Sequence, residues 1–515
     1  TAGNLGKIEH VVVVMMENRS YDHVLGYRAR PPISDGAAGL TEPVVKAIQS
    51  ASTGTLTDLA PFPGGDKVKD GPSSQPPFRV RKLEDAGFAS NSSGLKTLFP
   101  KSVGHRFTDV AEQLRFKAKG PDGASDINSP RGFRDNFRSH LGTLAAEVVA
   151  NDVLGFYDET SLPFFAYLAE NYAYCDQYFS SHPGPTLPNR FYSLVGDLDR
   201  DRTAVPVLEN SNAPDLFKLS RAHTIYDFLT RFGRDFRVYE SFPSLTMLRL
   251  FARYATDTDR IVPLGDNFER LRADVMKGDL PALVAIEPRM HSAPENDDHT
   301  PDADMLLGQR FIKGVYDALR ANPAVWAKTL LVVTYDEHGG FYDHVVPLAA
   351  DARGVNPDPS VSITDPVDVD IPGTGGDKTK PRVSPAEIIP YGVRVPTFLV
   401  SPWVAKGKVV SEVFDHCSIL KTVLARFTGD ARPFMSDRVE ASRSFNEVLT
   451  ETAPRMNVPN FAFPMPAPVP DPARKRTAPS RTTKIVTPPI SRRQLDEGHV
   501  DYHSLTGWWA RQLGR

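Results

Sequence analysis

Thr186 lies in the stretch Ser181 to Ser193, SHPGPTLPNRFYS, directly after Gly184-Pro185 and ahead of the apolar run Phe191 to Val195. A Gly-Pro turn followed by Pro188-Asn189-Arg190 reads as a helix opening, with the threonine hydroxyl at its start. Unpaired backbone N–H groups and the positive end of the helix dipole face that position, so a phosphate group is welcome there. A nucleophile so placed can receive a phosphoryl group. An isolated threonine in such a loop is equally a helix cap, so the chemistry depends on what else the chain brings to it.

Two strand ends supply the candidates. His10 to Met16, HVVVVMM, breaks directly into Glu17-Asn18; Thr329 to Tyr335, TLLVVTY, breaks into Asp336-Glu337-His338-Gly339-Gly340. Taken alone, Glu17 and Asn18 read equally as caps of the next helix. Adjacent acids after a buried strand are harder to explain as packing, because buried charges need partners. If the two ends meet, three carboxylates and an amide oxygen converge and repel unless a cation joins them. Oxygen donors favour a hard or borderline divalent ion, with Ca, Mg, Mn, Zn and Fe all compatible. Beside Thr186 such an ion lowers the hydroxyl's pKa, orients it for in-line attack and neutralises phosphoryl charge. His105, in GHRFTDV, and His299, in NDDHTP, are the side chains available to bind phosphate oxygens or protonate a leaving alkoxide. Each has an ordinary structural reading as a hydrogen-bonded cap or core histidine.

Continuous β-branched runs mark strands buried on both faces of a parallel sheet. Besides the two anchors, Phe236 to Tyr239, Leu283 to Ile286 and Val395 to Val400 read as strands. Helical spacing marks Leu162 to Tyr174, Thr224 to Phe232, Ala303 to Leu319 and Phe414 to Phe427. Alternation of the two types predicts an α/β fold, a doubly wound and mostly parallel sheet flanked by helices, whose sites gather at the carboxyl ends of the strands. The expected organisation is a catalytic domain over 1–450 with insertions at about 36–102 and 349–390, then a Pro-rich tail over 451–515 that runs over the surface. A short helix, Tyr502 to Leu513 with Trp508 and Trp509, is expected to pin that tail.

The 515 residues carry a formal net charge of -3, which argues against nucleic acid as the main partner. No apolar stretch reaches the length of a membrane span, so any membrane contact is expected to be peripheral. Cys175 and Cys417 are far apart, and pairing and two buried thiols are both open. There is neither a P-loop nor a Gly-x-Gly-x-x-Gly fingerprint.

The strings MMENRSYDHVLG, GPTLPNRFYSLVGD, NDDHTP and TYDEHGGFYDHV, in this order, resemble the bacterial phospholipase C and acid phosphatase family within the alkaline phosphatase superfamily. The likeness runs from about Ile8 to about Gly429 and includes VPTFLVSPWVAKG and FDHCSILK. It implies an alkaline-phosphatase-like sheet with a lid built from insertions. It also implies Thr186 as nucleophile, Glu17, Asn18, Asp336 and Glu337 as metal ligands together with Thr186, and His105 and His299 as assisting histidines. His338 stands where relatives often have Asn. The resemblance further implies export to the periplasm or the exterior, and a phosphoester substrate, such as phospholipid at a membrane surface.

Three activities stay open at this point. The first is a metal-dependent phospholipase C working through phosphothreonine; the second is a broad-specificity acid phosphatase with the same site. The third is a non-catalytic protein that binds phosphate or a lipid headgroup. A sulfatase is disfavoured, since no Cys-x-Pro-x-Arg motif is present.

Overall fold

The computed structural model describes residues 3–51, 103–115, 128–141, 151–159, 161–196, 223–241, 244, 246–251, 253–290, 296–299, 305–347, 349–351, 388–429 and 433–463. Its centre is an eight-stranded sheet built from β1 (His10–Met16), β2 (Ala173–Cys175), β3 (Phe236–Glu240), β4 (Ile261–Pro263), β5 (Leu283–Glu287), β6 (Thr329–Tyr335), β9 (Thr397–Val400) and β10 (Lys408–Val410). The spatial order is β10-β2-β9-β6-β1-β5-β3-β4, with β7 (Ala349–Asp351) and β8 (Ile388–Pro390) forming a separate antiparallel pair. β9 runs antiparallel to β2 and β6, and every other pairing in the large sheet is parallel. The expected mostly parallel sheet flanked by helices is therefore present.

The two central strands follow from their sequences. Every residue of β6 is buried, and only Val13 of β1 is partly exposed, as helices on both faces demand. Burying a Val or Leu side chain contributes roughly 1.5–3 kcal/mol, so these runs hold the sheet's middle. Packed against them, the Met305–Arg320 helix turns Phe311, Ile312, Val315 and Leu319 inward at helical spacing.

The expected strand at Val395 to Val400 shortens to Thr397–Val400. The helix expected to run to Tyr174 stops at Asn171, because Tyr172 is extended and Ala173–Cys175 enters the sheet between β9 and β10. Sheet pairing overrides the helical spacing of the side chains there. A helix, Glu42–Ala51, occupies part of the expected insertion at about 36–102; it buries Val45 and Ile48. Residues 52–102 and 352–387, most of the two expected insertions, lie outside the described residues.

Residues 458–461 make contacts with two helices. Tyr167 donates to Pro459 O at 2.5 Å, Arg320 Nη2 donates to Val458 O at 2.9 Å, and Phe461 packs 5.2 Å from Phe164. The expected helix from Tyr502 to Leu513 lies outside the described residues. Cys175 and Cys417 are both free thiols and buried. No helix among the described residues is long and apolar enough to cross a membrane.

Candidate active site

Register between the central strands decides the site. Met16 pairs with Tyr335, so the residues that follow, Glu17 and Asp336, leave the sheet side by side. Asp336 N donates to Met16 O at 3.1 Å, and Asn18 N donates to Asp336 Oδ1 at 3.2 Å. Asn18 adopts a positive φ of 60°, which turns the chain back over the strand ends. The NDDH loop closes a third side: Glu17 N donates to Asp297 O at 2.9 Å and Asn18 Nδ2 to His299 O at 3.0 Å. His299 Nε2 lies 3.7 Å from Glu17 Oε2.

After Glu337 the chain turns at Gly339 and Gly340, with φ of +65° and +79°. A Cβ on Gly339 would stand 2.4 Å from Asn18 O, and one on Gly340 would stand 2.5 Å from Gly104 O. Both positions need glycine for space as well as for φ. This close approach seats the His105 segment against the Asp336-Glu337 loop. His105 lies just before the N-cap Arg106 of helix Phe107–Leu114, with Nδ1 2.9 Å from Val103 O.

Thr186 is the first residue of helix Thr186–Val195 and is fully buried. Its loop is closed by Asn189, whose Oδ1 accepts from His182 N at 2.9 Å while Nδ2 donates to Gly184 O at 2.9 Å and Pro185 O at 3.1 Å. His182 stacks on Phe107 at 5.3 Å, joining this loop to the His105 segment. One turn after Thr186, Arg190 donates from Nε to Asp336 Oδ2 at 3.1 Å and approaches Glu17 Oε1 at 3.0 Å. The helix is thereby tied to the ends of both central strands.

All seven residues proposed from sequence thus belong to one neighbourhood. Glu17, Asn18, Asp336, Glu337 and His299 are linked by contacts around β1 and β6. Thr186 joins through Arg190, and His105 through the Gly340 turn. Beside the His299 contact to Glu17, His338 Nδ1 lies 3.4 Å from Glu337 Oε2 and His416 Nε2 lies 2.7 Å from Asp336 O.

The electrostatics are those of crowded anions. Burial, then Asp336, push the Glu17 carboxyl well above its ordinary range, with Arg190 opposing. Burial pushes Glu337 up to about 8, partly offset by His105 and reinforced by Asp336. Burial holds His338 down at about 3; it is neutral, with Nε2 2.8 Å from Gln113 Oε1. Four buried oxygens in this neighbourhood, Glu17 Oε2, Asn18 Oδ1, Thr186 Oγ1 and Glu337 Oε1, have no hydrogen-bond donor, and Glu17 Oε1 has only the Arg190 ion pair. Buried oxygens without donors are costly, and a divalent cation is the partner their chemistry fits. The acids are not drawn into a closed shell, because Arg190 spans Glu17 and Asp336.

Among the described residues, the acids and histidine that do bring ligand atoms within 4.8 Å of one another are Asp22, Asp343 and His344. That cluster already contains a cation. Arg394 donates from Nε to Asp343 Oδ1 at 2.9 Å and from Nη2 to Asp22 Oδ1 at 3.2 Å, while His344 N donates to Asp22 Oδ2 at 2.8 Å.

Sequence reasoning missed Arg190, Asp297 and Glu287. Arg190 was visible as a cation one helical turn after Thr186, and Glu287 as an acid ending β5. Neither position revealed a partner until the strands were in register.

The sequence profile of the Phosphoesterase family matches residues 8–428. Non-specific phospholipase C6 of Arabidopsis thaliana is 31% identical over 475 residues, covering 90% of this chain and 76% of the plant protein. Phospholipase C B of Mycobacterium tuberculosis is 28% identical, covering 82% and 74%, and the non-hemolytic phospholipase C of Burkholderia pseudomallei is 28% identical, covering 82% and 56%. Among solved structures, murine ectonucleotide pyrophosphatase / phosphodiesterase 5 aligns with a TM-score of 0.33 at 14% identity, over 56% of this chain and 95% of the murine one. With a profile match across most of its length, the chain belongs to the Phosphoesterase family and is a hydrolase of phosphoester bonds.

Proposed function

We propose that the protein is a metal-dependent phospholipase C that cleaves the glycerol–phosphate bond of phospholipids through a phosphothreonine at Thr186. The observation that carries this reading is the group of four buried, donor-less oxygens on Glu17, Asn18, Thr186 and Glu337. Glu17, Asn18, Thr186, Asp336 and Glu337 would hold a divalent ion, which when bound supplies charge neutralisation and a lower hydroxyl pKa.

The chain's own groups do the rest. Thr186 Oγ1, at a helix N-terminus, forms the new O–P bond as the bond from phosphorus to the glycerol oxygen breaks. Backbone N–H groups of the first helical turn and the helix dipole favour the phosphoryl oxygens there. His105 and His299 bind those oxygens or deliver the proton that the leaving alkoxide needs. Water then cleaves the phosphothreonine, releasing the phosphorylated headgroup and restoring the hydroxyl. Asn189 holds the Thr186 loop in shape through its four loop contacts.

The diester preference is supported by the names of the plant and bacterial relatives, all phospholipases C. A phospholipid presented at a membrane surface and a periplasmic or secreted location belong to the same reading; cell fractionation checks the latter. The deciding experiment is metal-replete turnover of p-nitrophenyl phosphorylcholine and p-nitrophenyl phosphate, side by side, with Thr186→Ala as control. Diester turnover lost in the variant supports the proposal. Monoester preference reassigns the protein as an acid phosphatase of the same mechanism, and full activity in Thr186→Ala overturns the nucleophile.

A further inference from the structure

We infer that Arg190, braced by Glu287, is a positioning residue that organises the carboxylates of the metal site and locks them to the helix carrying Thr186. The inference rests on the metal-binding reading above and extends it to groups that touch neither metal nor substrate.

Arg190 is buried and meets the ends of three strands at once. From the nucleophile helix it reaches Glu17 beyond β1 at 3.0 Å, Asp336 beyond β6 at 3.1 Å and Glu287 at the end of β5 at 3.4 Å. Its Nη2 also donates to Met15 O and Met16 O at 3.3 and 3.4 Å. A guanidinium suits this place because its planar fork addresses several acceptors in fixed directions. An ammonium at the same position keeps the charge but cannot span the carboxylates.

Two consequences follow. Arg190 holds Glu17 Oε1 and Asp336 Oδ2, while Asn18 N and Glu337 N hold Asp336 Oδ1, so the lone pairs that remain on the two carboxylates have a fixed direction. Thr186 lies four residues before Arg190, on the same face of the helix. A shift of the ligand carboxylates therefore moves with the nucleophile, and the two stay in register. Glu287 supplies the third anchor. It touches the guanidinium but neither Glu17 nor Asp336 through any hydrogen bond, so changing it perturbs the brace without deleting a ligand.

The test is Mn²⁺ binding by isothermal titration calorimetry to the full chain, using Arg190→Lys and Glu287→Gln, with wild type and Asp336→Asn as references. Groups that orient ligands typically contribute about 10- to 100-fold in metal affinity. Arg190→Lys is expected to weaken Mn²⁺ binding by about that factor, and Glu287→Gln in the same direction by about 10-fold at most. Glu287→Gln keeps the inference testable if Arg190→Lys does not fold. Binding within threefold of wild type in both variants, while Asp336→Asn loses binding, overturns the role of Arg190 and leaves the metal reading intact. Wild type that takes up no Mn²⁺, Ca²⁺ or Zn²⁺ overturns the metal reading, and this inference with it.

Discussion

Among the described residues, the Asp22–Asp343 cluster and the Glu17–Asp336–Glu337 cluster differ in what completes them. In one, Arg394 and His344 satisfy Asp22 and Asp343 with hydrogen bonds from 2.7 to 3.2 Å, and Arg394 also lies over Tyr21 at 4.3 Å. In the other, Arg190 satisfies only part of the acid set, and oxygens of Glu17, Asn18, Thr186 and Glu337 remain without donors. Close approach of ligand-type atoms alone would choose the first cluster as the metal site. The proposed function takes the second instead, because its own cation leaves several oxygens without donors. The difference is between acids whose lone pairs the fold satisfies and acids whose lone pairs it leaves in part unsatisfied.

The comparison is broken most decisively at the nucleophile. Thr186→Ala is expected to lower turnover by about three orders of magnitude or more while the far-ultraviolet circular dichroism is unchanged, since an attacking group has no substitute. Asp336→Asn is expected to abolish Mn²⁺ uptake, read by equilibrium dialysis. The equivalent change in the other cluster, Asp343→Asn, is expected to leave uptake as in wild type; the reverse pattern would move the metal site to Asp22, Asp343 and His344.

Stability measurements sharpen the same contrast. Arg394→Met strands two buried carboxylates and should cost about 3–5 kcal/mol in urea unfolding, with metal uptake by the folded fraction unchanged. In the metal-free protein, Glu337 holds its proton up to about 8 when folded but releases it near 4.5 when unfolded. Between those values the folded state binds the extra proton, so stability is greatest at the acid end and falls as pH rises through the window. Adding Mn²⁺ should flatten that slope, because binding to the folded state stabilises it and favours the ionised acids. A melting temperature of chelated protein that climbs from pH 5 to pH 8 would contradict this account of Glu337. The smallest effect is expected from His338→Gln: the Gln amide reaches the place of the imidazole Nε2 and can donate to Gln113 Oε1, and a neutral hydrogen bond contributes about 1 kcal/mol, so unfolding should shift by about that or less.

Much of the architecture was legible before folding. The runs at His10–Met16 and Thr329–Tyr335 matched their strands residue for residue, since unbroken β-branched sequence has few other uses. Short strands were not legible: Ala173–Cys175, Ile261–Pro263 and Lys408–Val410 span three residues each, too few to show a period, and exist because neighbours offer pairing edges. The helix Glu42–Ala51 was hidden by its Gly- and Pro-rich surroundings.

The site divides along the same line. Sequence by itself determined which side chains are competent: a hydroxyl at a helix start, acids and an amide where buried strands end, and glycines after the Asp-Glu pair. Those are consequences of residue type and local spacing. Only the tertiary structure decided which of the acids are left wanting a cation. Strand register brought Glu17 beside Asp336, helix docking carried Arg190 to both, and the strand order sent Arg394 to Asp22 and Asp343 instead. Whether a buried oxygen has a donor is set by contacts between residues hundreds of positions apart, and no local pattern encodes that.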